Sequence, residues 1–94
     1  MSAQVVYVDV DDTLVRFSGS KRIPIPAAIE RVRGLHREGA TLYLWTTGGA
    51  DYAKKVATEL RLDSLFVAFL PKPTLIIDDQ PIHEWRGLLH ERPF

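Results

Sequence analysis

Six side chains that could do chemistry lie at or beside the ends of strand-like apolar runs. Four of them are carboxylates, one is a hydroxyl and one is an ammonium group. Ligands of open α/β sheets bind beyond the carboxyl ends of the strands, so we expect these groups to share one rim of a sheet. The set is Asp9, Asp11, Thr46, Lys72, Asp78 and Asp79.

The four carboxylates would repel one another at such a rim, and burying unpaired charges costs several kcal/mol each. A hard cation relieves this repulsion. The ligands are oxygens, the chain has no cysteine, and its three histidines share no metal spacing, a combination that favours Mg²⁺. The sequence therefore predicts a magnesium site formed by Asp9, Asp11, Asp78 and Asp79.

Apolar runs alternate with amphipathic stretches along the chain, which indicates an α/β fold. The runs Val5–Val8, Thr41–Trp45 and Thr74–Ile77 predict three parallel strands. Right-handed connections would give the order 2-1-3, with the first strand central in a small three-layer Rossmann-like fold. Leu65–Phe69 also resembles a strand, but it lies too close to Thr74 for an ordinary parallel crossover. We expect it to be a short edge strand or a packed extended segment.

Two helices should connect these strands, and a third should close the chain. The first runs from Pro26 to about Glu38, because Pro26 suits a first helical turn and Gly39 suits a C-cap. Pro81 can begin the closing helix. The apolar face of the second helix consists of Ala53, Val56, Ala57 and Leu60. The apolar face of the closing helix consists of Ile82, Trp85, Leu88 and Leu89.

The composition predicts one globular domain over residues 1–94, with 12 basic and 12 acidic residues and no formal net charge. No global field therefore favours nucleic acid or an anionic membrane. The apolar runs are too short to span a bilayer, and Met1 to Gln4 leave no room for a signal peptide. With no cysteine in the chain, these features lead us to expect a cytoplasmic protein without a membrane partner.

The segment Asp9 to Thr13 matches D-x-D-x-T, the first motif of the haloacid dehalogenase (HAD) superfamily. Thr46 resembles the second motif of that family, Lys72 the third, and Asp78 with Asp79 the acidic fourth, all in family order. Four ordered motifs are a far more specific signal than any one of them. The resemblance implies a HAD-like fold and a Mg²⁺-dependent phosphohydrolase that forms an aspartyl-phosphate.

The resemblance also implies a role for each residue. Asp9 would attack phosphorus, and Asp11 would act as general acid and then as general base. Thr46 would bind phosphoryl oxygens, and Lys72 would neutralise negative charge. Mg²⁺ would be held by Asp9, the Asp11 backbone carbonyl and the acidic pair, of which Asp79 is favoured over Asp78 as the direct ligand.

The spacing leaves no room for a cap domain over the site. Only the twelve residues Leu14 to Ile25 follow the first motif before the first helix, and only Leu70 and Pro71 separate Phe69 from Lys72. The former segment could form a hairpin flap carrying basic side chains, or a solvated turn. We expect the phosphorylated substrate to cover the site itself, or a second subunit to do so, since the small core and the apolar face around Trp85 favour self-association.

Alternatives remain open at this level. An acid at a strand end, taken alone, is more often a helix cap or a solvated loop residue. Gly48 and Gly49 could simply form a turn, or their backbone amides could contact phosphate. The chain could instead be a phosphotransferase, a phosphatase of nucleic-acid ends, or a phosphate- or metal-binding module without turnover. A receiver domain also has an acid pair, a threonine and a lysine on a parallel sheet. In that family the acid pair belongs to the first strand and the lysine follows the last one. Here Lys72 precedes the Asp78 and Asp79 pair, so the order of the residues disfavours a receiver domain.

Overall fold

Two amphipathic stretches form helices and three apolar runs form a parallel sheet in the computed structural model, which describes residues 4–93. Residues 1–3 and 94 of the predicted domain lie outside this part, as does most of the Met1 to Gln4 start. The elements are β1 (Val5–Asp9), β2 (Val15–Ser18), β3 (Lys21–Pro24), α1 (Pro26–Arg37), β4 (Thr41–Thr46), α2 (Ala50–Glu59) and β5 (Phe66–Pro71), with short 3-10 turns at Asp63–Leu65 and Ile82–Glu84.

The sheet has the order β1-β4-β5, and both pairs are parallel. The register sets Asp9 opposite Trp45, and Thr46 opposite Pro71. The carboxyl ends of all three strands therefore meet at one rim. The prediction that the first strand is central is wrong for this structure, because β4 takes the central place and β1 lies at an edge.

The reason is that the run Thr74–Ile77 does not form a strand. It forms neither a helix nor a paired strand, and Leu75 and Ile77 are 76% and 91% exposed. A parallel strand there would require the chain to return across the sheet after β5, which usually takes a dozen or more residues. Only Lys72 and Pro73 lie between the end of β5 and Thr74. The preceding segment instead forms the edge strand β5, which confirms one of the two expectations for it. The expectation that it would not be an ordinary parallel strand is wrong, because β5 pairs in parallel with β4.

The predicted closing helix is also wrong, since the structure has only the 3-10 turn Ile82–Glu84 in its place. Short isolated helices are marginal in water unless an apolar face is buried. Leu88 and Leu89, which would supply that face, are 55% and 78% exposed. No tertiary surface therefore stabilises a helix in this segment.

The sheet buries one face more completely than the other. Leu42 and Leu44 of β4 are fully buried and belong to one core with the buried residues of α1 and α2. The alternate residues carry aromatic rings: Tyr7 stacks on Tyr43 at 4.9 Å between centroids and meets the edge of Trp45 at 4.8 Å. Tyr7 is exposed, and Tyr43 and Trp45 are partly buried. A third layer is not found among residues 4–93.

Helix α1 begins and ends where the sequence predicts. Pro26 occupies the first turn, and the chain leaves the helix through Gly39, whose φ of +88° favours glycine. Within the described residues, no helix has both the length and the apolar character needed to cross a membrane.

A pair of leucine substitutions tests this division between core and exposed chain. Leu44→Ala should lower the free energy of unfolding by about 2–5 kcal/mol, because it leaves a cavity in a packed core. Leu89→Ala should change it by less than about 0.5 kcal/mol, as surface substitutions do. Urea unfolding followed by circular dichroism measures both. A cost at Leu89 comparable to that at Leu44 would show that the C-terminal segment is packed after all.

Candidate active site

The carboxylate of Asp9 lies at the end of β1 and is contacted on both oxygens. The Lys72 ammonium group is 3.4 Å from Oδ1, and the Thr13 hydroxyl donates to Oδ2 at 3.0 Å. The side chain remains 29% exposed. Asp9 is therefore oriented by two donors and still accessible to a substrate.

The turn that follows β1 folds Thr13 back onto Asp9. The backbone amides of Thr13, Leu14 and Val15 all point to the Val10 carbonyl, at 3.2, 2.9 and 3.3 Å. Asp12 has a φ of +62°, a left-handed conformation that aspartate tolerates better than most residues. Buried apolar side chains at positions 10, 14 and 15 anchor the turn in the core. The D-x-D-x-T spacing thus produces a fixed loop whose threonine contacts its first aspartate.

Lys72 reaches Asp9 because β5 delivers it to the same rim. Its backbone amide donates to the Thr46 carbonyl at 2.9 Å, which extends the β4–β5 pairing by one residue. Its ammonium group also lies 5.9 Å from the centroid of the Trp45 ring, within the range of a cation–π contact. Asp9 and Thr46 therefore lie at the ends of β1 and β4, as the sequence predicts, whereas Lys72 directly follows β5 and does not precede a last strand as expected.

Thr46 is almost completely buried, with only 1% of its surface exposed. Its hydroxyl oxygen accepts a hydrogen bond from the Gly48 amide at 3.1 Å and so braces the loop before α2. The hydroxyl can still donate its proton. A phosphoryl oxygen could receive that proton only by entering the loop.

Asp11 is held by a residue that the sequence analysis did not identify. The Tyr52 hydroxyl donates to Asp11 Oδ1 at 2.7 Å. Burial, and then the hydrogen bond and negative charge of Asp11, raise the pKa of Tyr52 to about 12, so the phenol is protonated at neutral pH. Its sequence signal is weak: a tyrosine in the first turn of the helix that follows the second motif.

The segment after the first motif is the hairpin β2–β3, one of the two structures predicted for it. Arg22 of this hairpin makes two hydrogen bonds to the Glu59 carboxylate, at 3.1 and 2.6 Å, and so links the hairpin to α2. Its guanidinium also lies 5.7 Å from the centroid of the Tyr52 ring. Arg16 and Lys21 are exposed and contact no part of the site.

Asp78 and Asp79 are not brought to Asp9 and Asp11. They lie with neighbouring residues of the exposed chain around a shallow depression, where Asp78 accepts from the Gln80 amide at 2.9 Å. Throughout residues 4–93, no three histidine or acidic side chains are grouped so that they could hold a metal ion. The expected rim of four carboxylates is therefore not assembled in this conformation. The predicted ligands share the right oxygen chemistry for Mg²⁺ but not a common location.

The separation of the Asp78 and Asp79 pair from Asp9 and Asp11 departs from the arrangement that the sequence motifs predict. Comparison with known proteins does not explain this separation. No family model, no curated protein and no solved structure matches the chain. The chemistry must therefore be inferred from the residues themselves.

The link between the hairpin and α2 should depend on pH. The hydrogen bond from Arg22, together with its charge, lowers the pKa of Glu59 below its usual value. The ion pair therefore stabilises the fold fully above the usual glutamate pKa of about 4.3 and loses this effect as pH falls through the lowered value.

We expect the difference in free energy of unfolding between wild type and Glu59→Gln to be largest near pH 6 and to shrink toward pH 3. Urea titrations at several pH values measure it. Using the variant as the reference cancels the titration of the other carboxylates. A difference that stays constant with pH would show that the ion pair does not form in solution.

Proposed function

We propose that this chain is a Mg²⁺-dependent phosphohydrolase that acts on a phosphomonoester through an aspartyl-phosphate at Asp9. The observation that carries the proposal is the Asp9 carboxylate, which is partly exposed and held between the Lys72 ammonium group and the Thr13 hydroxyl. A second carboxylate, Asp11, lies two residues further on in the same loop. Such a pair supplies a nucleophile and a proton donor from one short segment.

In the first step an Asp9 oxygen attacks phosphorus, and the bond from phosphorus to the leaving oxygen breaks. Asp11 gives its proton to that oxygen, so the product leaves as an alcohol. In the second step Asp11 takes a proton from water, and the water oxygen attacks the phosphorus of the aspartyl-phosphate. The bond from phosphorus to the Asp9 oxygen breaks, which regenerates the Asp9 carboxylate and releases inorganic phosphate. Lys72 offsets negative charge on Asp9 and on the phosphoryl group throughout.

Lys72 is well placed for this role because its contacts orient it toward Asp9. The amide contact to Thr46 fixes its backbone, and the Trp45 ring lies beneath its ammonium group. The side chain is 38% exposed, so its charge can reach a bound anion. Thr46 supports the same site through the loop that it braces and, if phosphate enters that loop, through its hydroxyl proton.

Mg²⁺ would supply charge neutralisation on the phosphoryl oxygens. Magnesium commonly binds one or two carboxylates together with waters and substrate phosphate. Asp9 and the Asp11 carbonyl can begin such a set, and we propose that the Asp78 and Asp79 pair completes it when the exposed segment 73–82 approaches the rim. None of the steps above is assigned to the metal.

The rim is open in the described part of the chain. The hairpin of 10 residues, Val15–Pro24, is the largest insertion beside the first motif, and β5 passes directly into Lys72. An open rim gives few contacts to a small substrate and shields charge poorly. We therefore propose a substrate large enough to cover the site, or a second subunit that covers it.

A phosphate-binding module without turnover is the second candidate. The separation of the Asp78 and Asp79 pair from Asp9 favours it, because binding an anion needs Lys72 but no completed metal site. Phosphotransfer to another acceptor, including removal of phosphate from a nucleic-acid end, would use the same first step.

Substitution of the nucleophile distinguishes the two candidates. Asp9→Asn should lower kcat for p-nitrophenyl phosphate with Mg²⁺ by about three orders of magnitude or more, because the amide cannot attack phosphorus. Asp63→Asn, at an exposed acid of a 3-10 turn, is the matched control and should keep activity. Steady-state kinetics, with circular dichroism to verify folding, measure this. An active Asp9→Asn variant would refute the covalent mechanism, and an inactive wild type that binds phosphate would favour the binding module.

The metal assignment has a test that does not depend on activity. Mg²⁺ at about 100 times its Kd should raise the free energy of unfolding by about 2.7 kcal/mol and slow amide exchange in residues 73–82. The double substitution Asp78→Asn with Asp79→Asn should abolish both effects, whereas Asp63→Asn should preserve them. Thermal unfolding and hydrogen exchange by mass spectrometry provide the two measurements. Stabilisation that persists in the double variant would place the ion elsewhere.

A further inference from the structure

We propose that Tyr52 is a positioning residue that fixes the carboxyl group of Asp11 so that only its Oδ2 faces the leaving oxygen. This inference rests on the proposed function, since it concerns the residue assigned there as general acid. The Tyr52 hydroxyl donates to Asp11 Oδ1 at 2.7 Å, a short hydrogen bond from outside the first-motif loop. It joins α2 to the loop that follows β1.

The fold makes room for the Tyr52 ring at one particular glycine. A Cβ atom at Gly48 would lie 2.9 Å from Tyr52 Cδ2 and 3.4 Å from Cγ, closer than packed atoms normally approach. The Gly48 amide is itself tied to the Thr46 hydroxyl, so the loop cannot shift freely away from the ring. Gly48 therefore provides the space that lets the ring reach Asp11.

Two further contacts hold the ring in place. Tyr52 packs against the hydrophobic core from the first turn of α2. The guanidinium of Arg22 lies 5.7 Å from the ring centroid and is itself held by Glu59 of the same helix. The position of Tyr52 is thus fixed by the loop before α2, by the core and by the hairpin.

The chemical consequence concerns which oxygen carries the transferable proton. A carboxyl group has two oxygens and can rotate about its last torsion, so a free Asp11 would present either oxygen to the substrate. Oδ1 already accepts a hydrogen bond from Tyr52, so the proton that reaches the leaving group is carried by Oδ2. Fixing this geometry before substrate binds removes a rotation that the reaction would otherwise have to freeze.

The test compares Tyr52→Phe with Tyr43→Phe, which removes a hydroxyl from a ring on the sheet's aromatic face. Tyr52→Phe should lower kcat for an alkyl phosphomonoester by about 10- to 100-fold with KM little changed. This loss is smaller than the whole contribution of general acid catalysis, which is about 10²- to 10⁴-fold. The same variant should lower kcat for p-nitrophenyl phosphate by less than about threefold, because that leaving group needs little protonation. Asp11→Asn should show the same preference more strongly, and Tyr43→Phe should match wild type with both substrates.

Gly48→Ala should reproduce the Tyr52→Phe pattern by displacing the ring. In addition, the ¹³C signal of the Asp11 side-chain carboxyl should shift in Tyr52→Phe and not in Tyr43→Phe. Equal losses on both substrates, or none, in a Tyr52→Phe protein whose wild type is active would overturn the positioning role alone. A wild type without turnover would overturn that role together with the proposed function, whatever the carboxyl signal shows.

Discussion

The pairing of β4 with β1 on one side and β5 on the other is the interaction on which the site depends. Parallel strands bring their carboxyl ends to the same edge, and the register here places Asp9 beside Trp45 and Thr46 beside Pro71. The next residue, Lys72, then reaches Asp9 across the width of the central strand. Because side chains alternate between the faces of a sheet, a slip of one residue between β1 and β4 would turn Asp9 away from the face that carries Trp45 and Lys72.

The elements that carry strong local signals could be predicted from the sequence. The first two strands and both helices have apolar periodicity that predicts them, and Pro26 and Gly39 delimit α1 correctly. For the hairpin, the sequence left a solvated turn equally open. The contact of Lys72 with Asp9 was expected from the family resemblance, and it forms because β5, which precedes Lys72, ends at the same rim as β1. Thr13 is part of the sequence motif, but its hydrogen bond to Asp9 is evident only from the structure of the turn.

The C-terminal part could not be predicted because its pattern fits several structures. Thr74–Ile77 has the composition of a buried strand, yet Phe66–Pro71 forms the strand beside β4, and too little chain separates it from Thr74 for another parallel crossover. The closing segment has helical periodicity, but Ile82, Leu88 and Leu89 of its apolar face are exposed, and only Trp85 is partly buried. Tyr52 was missed for a different reason: its hydrogen bond to Asp11 joins residues 41 positions apart and leaves no pattern in the sequence.

These differences separate the site into two parts. Asp9, Asp11 and Lys72 are fixed by the sheet, the first-motif turn and α2, so the groups proposed for bond breaking are organised before any ligand arrives. Asp78 and Asp79 belong to exposed chain with few packing contacts, and segments of that kind change conformation at low energetic cost. Under the metal assignment proposed above, a metal-dependent reaction at this rim would need the second part to become ordered against the first.

The central claim is that the Asp9 carboxylate attacks phosphorus, and its most direct test is to locate the covalent phosphate. Asp11→Asn protein lacks the base that would activate water, so an aspartyl-phosphate formed from p-nitrophenyl phosphate should accumulate in it. Rapid acid quenching followed by peptide mass spectrometry would locate the phosphate. We predict phosphate on Asp9, and none when Asp9 is also replaced by asparagine. Phosphate on another residue, or stoichiometric release of p-nitrophenol and inorganic phosphate with no covalent species at any time, would contradict the account.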